Sequence, residues 1–416
     1  MAEVALYRPA PYRAIRLAGI VTFIASLQLV TFNSYLIVFL ERDLFIAALV
    51  IALIASSRNF LQIFFRIPFG ELSQIIGRKP LIVFGHFCLT TASFLLAFST
   101  NWIQPLIATM AIAVGMSSFW PPMLSFLSDV TPNNMGESNG KIFALWDIGI
   151  ILISLVAKVL LDFVGISLQE LFLLIGVVGI FSGFVVIFIL PESLAKNKKQ
   201  VASIPKAFIG SIISTFLSLY TITRLKGMSE IFSFQLVLAF LSFMFQTFFP
   251  LLVVYRGFTK GTVSEIYFWA TLVLLWFKPH FGRITDRFRF SSVITVLLLI
   301  SAGFSLVITL VTELWLIIII YIILFACLST GFVATNGETA RKSPEIYRGT
   351  ALGALGVWLS IGRTTSTMTL GIVWEVINLE AVFHVTAIGV IIITPILYLI
   401  FKLKDRKNEL EQVSFG

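Results

Sequence analysis

Two arginines stand deep inside apolar runs, far from any charged link. Arg58 and Arg363 each lie near the middle of such a run. A charge in hydrocarbon is expensive and marks a pathway or binding function by default. Counted at about 1.5 Å per residue from the run ends, both reach mid-membrane depth within roughly 5–10 Å. Two guanidiniums are the chemistry for a carboxylate, a phosphate or another oxyanion. The competing reading is that each arginine pairs with an internal carboxylate or carbonyl and only ties helices together.

Asp147 is the carboxylate best placed to carry a proton. It sits about two turns into another apolar run, where desolvation favours its neutral form. Its alternative role is as a structural partner of an arginine or a helix end. Lys158 and Asp162, spaced i and i+4, read as a local ion pair, and Glu375 reads as solvated. His86, His280 and His384 lie in three different runs with no ligand spacing, so each reads as a core or interface histidine and no metal is expected. Cys88 and Cys327 both fall in apolar runs and read as buried thiols. No glycine-rich loop ending in Lys-Ser/Thr is present, so nothing suggests ATP drives the protein. No cofactor is expected. An enzyme would need nucleophiles, metal ligands or paired acids clustered within the runs, and none is visible.

The elements that must carry these residues follow from composition. The chain has 416 residues, 58% of them hydrophobic and 12% charged, and a mean hydropathy of +0.98. Soluble domains carry roughly 25% charge. Runs of roughly 20 apolar residues recur, each long enough to cross a bilayer as a helix, and they lack the alternation of a barrel strand. Twelve spans are expected, near 15–40, 45–67, 80–99, 103–128, 141–164, 168–190, 230–254, 263–281, 291–311, 314–336, 349–374 and 380–401. The first run is too long for a cleavable signal. The net charge of +9 does not indicate nucleic acid, because the basic residues lie in short links rather than on one soluble face.

Lysine and arginine orient the spans. With the N-terminus inside, 24 basic residues fall on inner segments and three, Arg42, Arg256 and Lys260, on outer links. This is the positive-inside pattern, with both termini cytoplasmic. The longest link divides the chain into an N-terminal six-helix bundle (1–190), a cytoplasmic linker (191–229) and a C-terminal six-helix bundle with a short cytoplasmic tail (230–416). In the linker, Ile209, Ile212, Ile213, Phe216, Leu217 and Tyr220 follow a helical period, as expected of an amphipathic helix lying at the interface. A thirteenth span there would invert every later loop against the charge rule.

The strongest motif is Gly70-Glu71-Leu72-Ser73-Gln74-Ile75-Ile76-Gly77-Arg78-Lys79-Pro80, between spans 2 and 3. An echo, Gly282-Arg283-Ile284-Thr285-Asp286-Arg287, lies between spans 8 and 9, 212 positions later. Trp146 and Trp358 share that offset, but the arginines do not: it takes Arg58 to Ala270 and Arg363 to Ile151. Scaffold features should occur in both halves, whereas substrate features need not. The motif resembles that of the major facilitator superfamily, Gly-x-Leu-x-Asp-Arg-x-Gly-Arg-Arg/Lys. Gly70, Leu72, Gly77, Arg78 and Lys79 match it, while Gln74 stands for the usual Asp and Ile75 for the usual Arg. The second copy keeps Gly282, Asp286 and Arg287, and Pro191-Glu192-Ser193 after span 6 also looks like this family.

The resemblance covers the whole chain. It implies twelve transmembrane helices in two pseudo-symmetric six-helix bundles, an all-α membrane protein working by alternating access. In the family the motif Asp stabilises a helix N-terminus, so Gln74 implies a weaker latch in the first half. Helices 2 and 11 face each other in that fold, which makes Arg58 and Arg363 a candidate clamp. Gln28, Asn33, Trp120, Gln235, Gln246 and Asn336 are candidate cavity residues, with inter-helix bonding as the alternative for each. The expected function is a monomeric, proton-coupled secondary transporter in the plasma or inner membrane, moving a small organic anion. Broad drug efflux by proton antiport is a second reading, although Trp146 to Gly165 lacks the proline of the antiporter motif. A non-transporting sensor on the same scaffold is a third; it calls for a sizeable signalling domain, and the tail after Phe401 is short.

Overall fold

In hydrocarbon a segment must satisfy its own backbone N–H and C=O groups, so each apolar run is expected to form one continuous helix. The computed structural model describes residues 11–131, 135–193, 210, 219–225, 227–344 and 348–414, and among these it is helical with no strand. The long helices are α1 (Pro11–Val38), α2 (Ala48–Ile76), α3 (Arg78–Ala97), α4 (Ile103–Val130), α5 (Met135–Lys158) and α6 (Leu168–Ile189). They continue as α7 (Met228–Tyr255), α8 (Lys260–Arg287), α9 (Phe290–Val307), α10 (Leu314–Lys342), α11 (Arg348–Val376) and α12 (Leu379–Ser414). Each coincides with one of the twelve expected spans. Ten are long and apolar enough to cross a membrane among the described residues. The exceptions are α8, with Lys260 and Glu265 in its first turns, and α11, whose middle is Arg363 set in a run of serines and threonines.

Several helix ends differ from the expected links. Gly70 to Ile76 forms the last turns of α2, and only Gly77 breaks the helix, at φ 119° and ψ 159°. The region of the second motif copy is helical through Arg287; the surroundings of Gly282 and the side chain of Asp286 lie outside what the structure describes, and Arg287 is exposed. The proposed interfacial helix also lies outside them, apart from a helical turn at 219–223. Two π-helical turns extend α1 and α5, at Phe39–Asp43 and Val159–Val164. Ser167 starts α6 with a capping box: its hydroxyl accepts from Glu170 N at 3.2 Å, and its own N–H donates to Glu170 Oε2 at 2.7 Å.

The chain forms two compact units, 1–217 with 253–272, and 218–252 with 273–416. In the first, Ala14, Ala18, Val21 and Ala25 make one face of α1, packed with Phe119 and Phe126 of α4. Small residues there let backbones approach closely. A methyl group on Gly85 would lie 2.6 Å from the Gly115 carbonyl oxygen, and one on Gly115 2.9 Å from that of Gly85. Only glycine at both positions allows this contact of α3 with α4. In the second unit, α7 and α11 are joined by Ser366 Oγ donating to the Phe240 carbonyl at 2.8 Å. Lys342 at the end of α10 meets Glu230 of α7 at 3.4 Å and Glu338 at 3.1 Å.

Candidate functional site

The alternation of α2 around its axis decides what surrounds Arg58. Arg58, Gln62 and Arg66 recur at i, i+4 and i+8, so they share one face of the helix. Arg58 is only 8% exposed, and Asn59 and Gln62 are buried beside it. The Arg58 Nη1 donates to Asn33 Oδ1 of α1 at 2.7 Å. This brings together two residues that the sequence had named separately. On α2 as well, Ser57 shares a 3.0 Å bond with Thr109 of α4. Asn59, Gln62 and Arg66 lie beside Arg58 on α2 and are not among the residues singled out from the sequence. Their i, i+1, i+4 and i+8 spacing from Arg58 was the available signal.

Gln28 does not join this group. Its Nε2 donates to Thr90 Oγ1 of α3 at 3.0 Å, and the residue is 1% exposed. Thr90 in turn donates to the His86 carbonyl at 3.1 Å, and His86 Nε2 pairs with Ser182 Oγ of α6 at 2.7 Å. A Cβ on Gly179 would strike both Gln28 and Thr90. The polar thread α1–α3–α6 therefore depends on glycine at that point. His86 is a core histidine bonded through Nε2 while its Nδ1 is buried without a hydrogen-bond partner among the described residues, so the satisfied histidine expected there is met at one ring nitrogen only, and His384 pairs with Thr309 at 2.8 Å. The side chain of His280 is outside the described residues. Among the described residues no group of His, Cys, Asp or Glu could hold a metal ion, and Cys88 and Cys327 are free thiols.

Trp120 belongs to an aromatic set across α4 and α5. Its ring stacks on Phe143 at 5.5 Å and 18°, and lies 5.1 Å from Trp146. Offset aromatic pairs of this kind contribute about 0.5–1.5 kcal/mol each. Asp147, next in sequence to Trp146, is buried, with 4% exposure. The repeat partner Trp358 stacks on Phe232 of α7 at 6.2 Å and 22°. Each tryptophan thus packs on an aromatic ring within its own unit. Arg363 is half-buried, its guanidinium carbon 5.4 Å from the centroid of Phe243 on α7. Gln246, three residues beyond Phe243, falls on the same side of α7.

The motif is held by two carboxylates. Glu192 accepts from the backbone N–H of Arg78 at 3.0 Å and of Lys79 at 3.2 Å. Its charge therefore sits on the N-terminus of α3, where the helix dipole and the unpaired N–H groups favour an anion. The Arg78 Nε donates to Asp129 Oδ2 at the end of α4 at 3.2 Å, and its Nη1 donates to Ser73 Oγ. Ser193 Oγ also donates to Asp129 Oδ2, at 2.8 Å. Gly77 is required for this closure, because a Cβ there would run into the Glu192 carboxylate. The family pattern puts its carboxylate at position 74, where Gln stands here; the carboxylate that caps α3 is Glu192, 118 residues further on.

Comparison with known proteins agrees with this architecture. The Major Facilitator Superfamily family model matches residues 18–367, with a second match over 231–414. The uncharacterized MFS-type transporter MJ1560 of Methanocaldococcus jannaschii is 22% identical over 335 residues, 80% of this chain and 84% of the relative. Multidrug resistance protein MdtL of Shewanella sp. is 22% identical over 342 residues, 81% of this chain and 83% of the relative. Among solved structures, the human organic anion transporter MFSD10 (TETRAN) superposes with a TM-score of 0.68 at 14% identity, covering 94% of this chain and 100% of that one. A POT family transporter bound to a thioalcohol-conjugated peptide gives a TM-score of 0.75 at 15% identity, covering 94% and 96%. At these identities the two structures speak for the fold alone. The chain belongs to the major facilitator superfamily, a multi-pass membrane protein of a transporter family whose members move small molecules.

Proposed function

We propose that the protein is a secondary active transporter of a small organic anion, working by alternating access. Two bundles, 1–190 and 230–416, alternate about the linker 191–229. The observation that carries the anion assignment is Arg58, a guanidinium 8% exposed in the middle of α2, held toward α1 by Asn33. Arg363 of α11 supplies a second guanidinium from the other half, set on Phe243. Weakly hydrated, planar guanidiniums suit bidentate carboxylate or phosphate binding. Trp120 and Gln246 supply further substrate contacts, and Gln28 positions α1 through Thr90. The name of MFSD10, an organic anion transporter, is consistent with this reading.

Asp147 is proposed as the proton site, buried beside Trp146. The protein acts as a monomer in the plasma or inner membrane, with both termini cytoplasmic, and its cargo crosses unchanged. Efflux of hydrophobic compounds is a second reading, favoured by the Trp120–Phe143–Trp146 aromatic set and by the name of the relative MdtL. Proteoliposomes holding a trapped pH dye separate the two. Proton flux that starts on adding benzoate, succinate or glycerol phosphate, and stops in Asp147→Asn, supports anion coupling. Flux started by ethidium or tetraphenylphosphonium, with none from the anions, moves the assignment to efflux.

A further inference from the structure

The α7–α8 link is tied to the ends of α1 and α5 by charged contacts that neither the motif nor the arginines explain. All of them lie inside the first unit, which takes in residues 253–272. Lys158 of α5 bonds Glu265 of α8 at 2.7 Å and Asp162 at 3.3 Å. The Asp162 carboxylate faces the start of α8. Its Oδ1 accepts from the Gly261 N–H at 3.2 Å, and its Oδ2 from the Thr259 hydroxyl at 3.0 Å. A Cβ on Gly261 would collide with that carboxylate. From α1 the same link is met by Asp43, bonded to Lys260 at 2.5 Å, and by Glu41, which accepts from the Tyr255 hydroxyl at 2.7 Å.

Three features set this apart from a surface ion pair. First, the carboxylate caps a helix N-terminus, repeating at this end of the helices the device that Glu192 forms with α3 at the other. Second, Asp162, Glu41 and Asp43 all stand on the two π-helical turns, Val159–Val164 and Phe39–Asp43. Such turns are rare and cluster at functional sites. Third, the link is continuous in the chain with parts of α7 and α8 assigned to the second unit, which begin at 252 and 273 on either side of it. The segment thus pairs with α1 and α5 while its two flanks belong elsewhere.

We propose that Lys158, Asp162 and Glu265, with the α8 N-terminus, form an ionic latch that holds the expected outer end shut and is released during transport. The proposal rests on alternating access, and it names which contacts stand between the two states. It also reassigns Lys158 and Asp162 from a local pair to the centre of the latch. Couplings between sites typically shift a two-state equilibrium by about fivefold or more. Losing the latch favours the state opened at this end and closed at the motif end.

Hydrogen–deuterium exchange on the full chain in nanodiscs tests this without a substrate. In Lys158→Ala, Asp162→Asn and Glu265→Gln, amides over 256–266 are expected to exchange about fivefold faster. Amides over 70–82, at the motif end, are expected to slow in the same samples. A purely structural ion pair would speed the first region and leave the second unchanged, and that result overturns the latch. A variant that fails to fold exchanges fast throughout, and Glu265→Gln, which keeps the side-chain size, then carries the test. Asp129→Asn, which breaks the motif contact instead, is the reference. If it shows opposite changes at the two ends and the latch variants do not, only the latch falls. If neither does, alternating access falls with it.

Discussion

Arg58 is held by Asn33 rather than left to hydrocarbon, and the proposed anion site gives it a measurable role. A hydrogen bond to a charged group contributes about 1.5–3 kcal/mol. Arg58→Ala is therefore expected to weaken anion binding by roughly tenfold or more, read by isothermal titration with the anion that binds wild type. Arg58→Lys keeps the charge but loses the planar fork, and should recover only part of the affinity. Equal affinity in all three proteins would make Arg58 structural. Gly77 is a second residue with a defined cost. Its φ of 119° lies where a side chain is strained, so Gly77→Ala should lose about 1–3 kcal/mol, measured as a lower melting temperature. The sequence disclosed Arg58 and Asn33 because charge and amide stand out in apolar runs. It did not disclose that Gln28 turns to Thr90, because the side of α1 that meets α3 depends on packing that one chain's pattern does not encode.

At the scale of elements, α3 begins where Glu192 meets its first N–H groups. A carboxylate at such an end contributes about 0.3–1 kcal/mol, and up to about 2 when partly buried. Glu192→Gln should thus lower the melting temperature modestly, and Glu192→Ala further. Exchange over 77–82 should rise in both; if it does not, the cap is not holding α3. All twelve helices were legible because run length and charge each mark them. The π-helical turns at Phe39–Asp43 and Val159–Val164 were not, since an extra residue per turn leaves no compositional trace. Gly282 was read as the end of a span, yet the helix runs on to Arg287. Glycine within a membrane helix is tolerated when neighbours and internal bonds satisfy the backbone. Asp129 and Glu192 meet Arg78 from 51 and 114 residues away; the sequence marks Glu192 only as part of Pro191-Glu192-Ser193 and does not mark Asp129.

For the molecule as a whole, the charge bias predicts an orientation with both termini cytoplasmic. Single cysteines at Gly257 and at Ser414, in a chain with Cys88 and Cys327 replaced by serine, should label from opposite sides of the membrane. The first should react from outside and the second only from the cytoplasm; the reverse pattern would invert the topology. The central claim, a small organic anion held by the Arg58 and Arg363 guanidiniums, is tested most directly by thermal stability of the purified protein. Wild type, Arg58→Ala and Arg363→Ala are melted with benzoate, succinate, glycerol phosphate, glucose, ethidium and tetraphenylphosphonium. A ligand at about 100 times its Kd stabilises by about 2.7 kcal/mol. The expected result is a clear upward shift of wild type by at least one of the anions, absent from both variants. Stabilisation of all three proteins alike by the cations or glucose, with none from the anions, would contradict it.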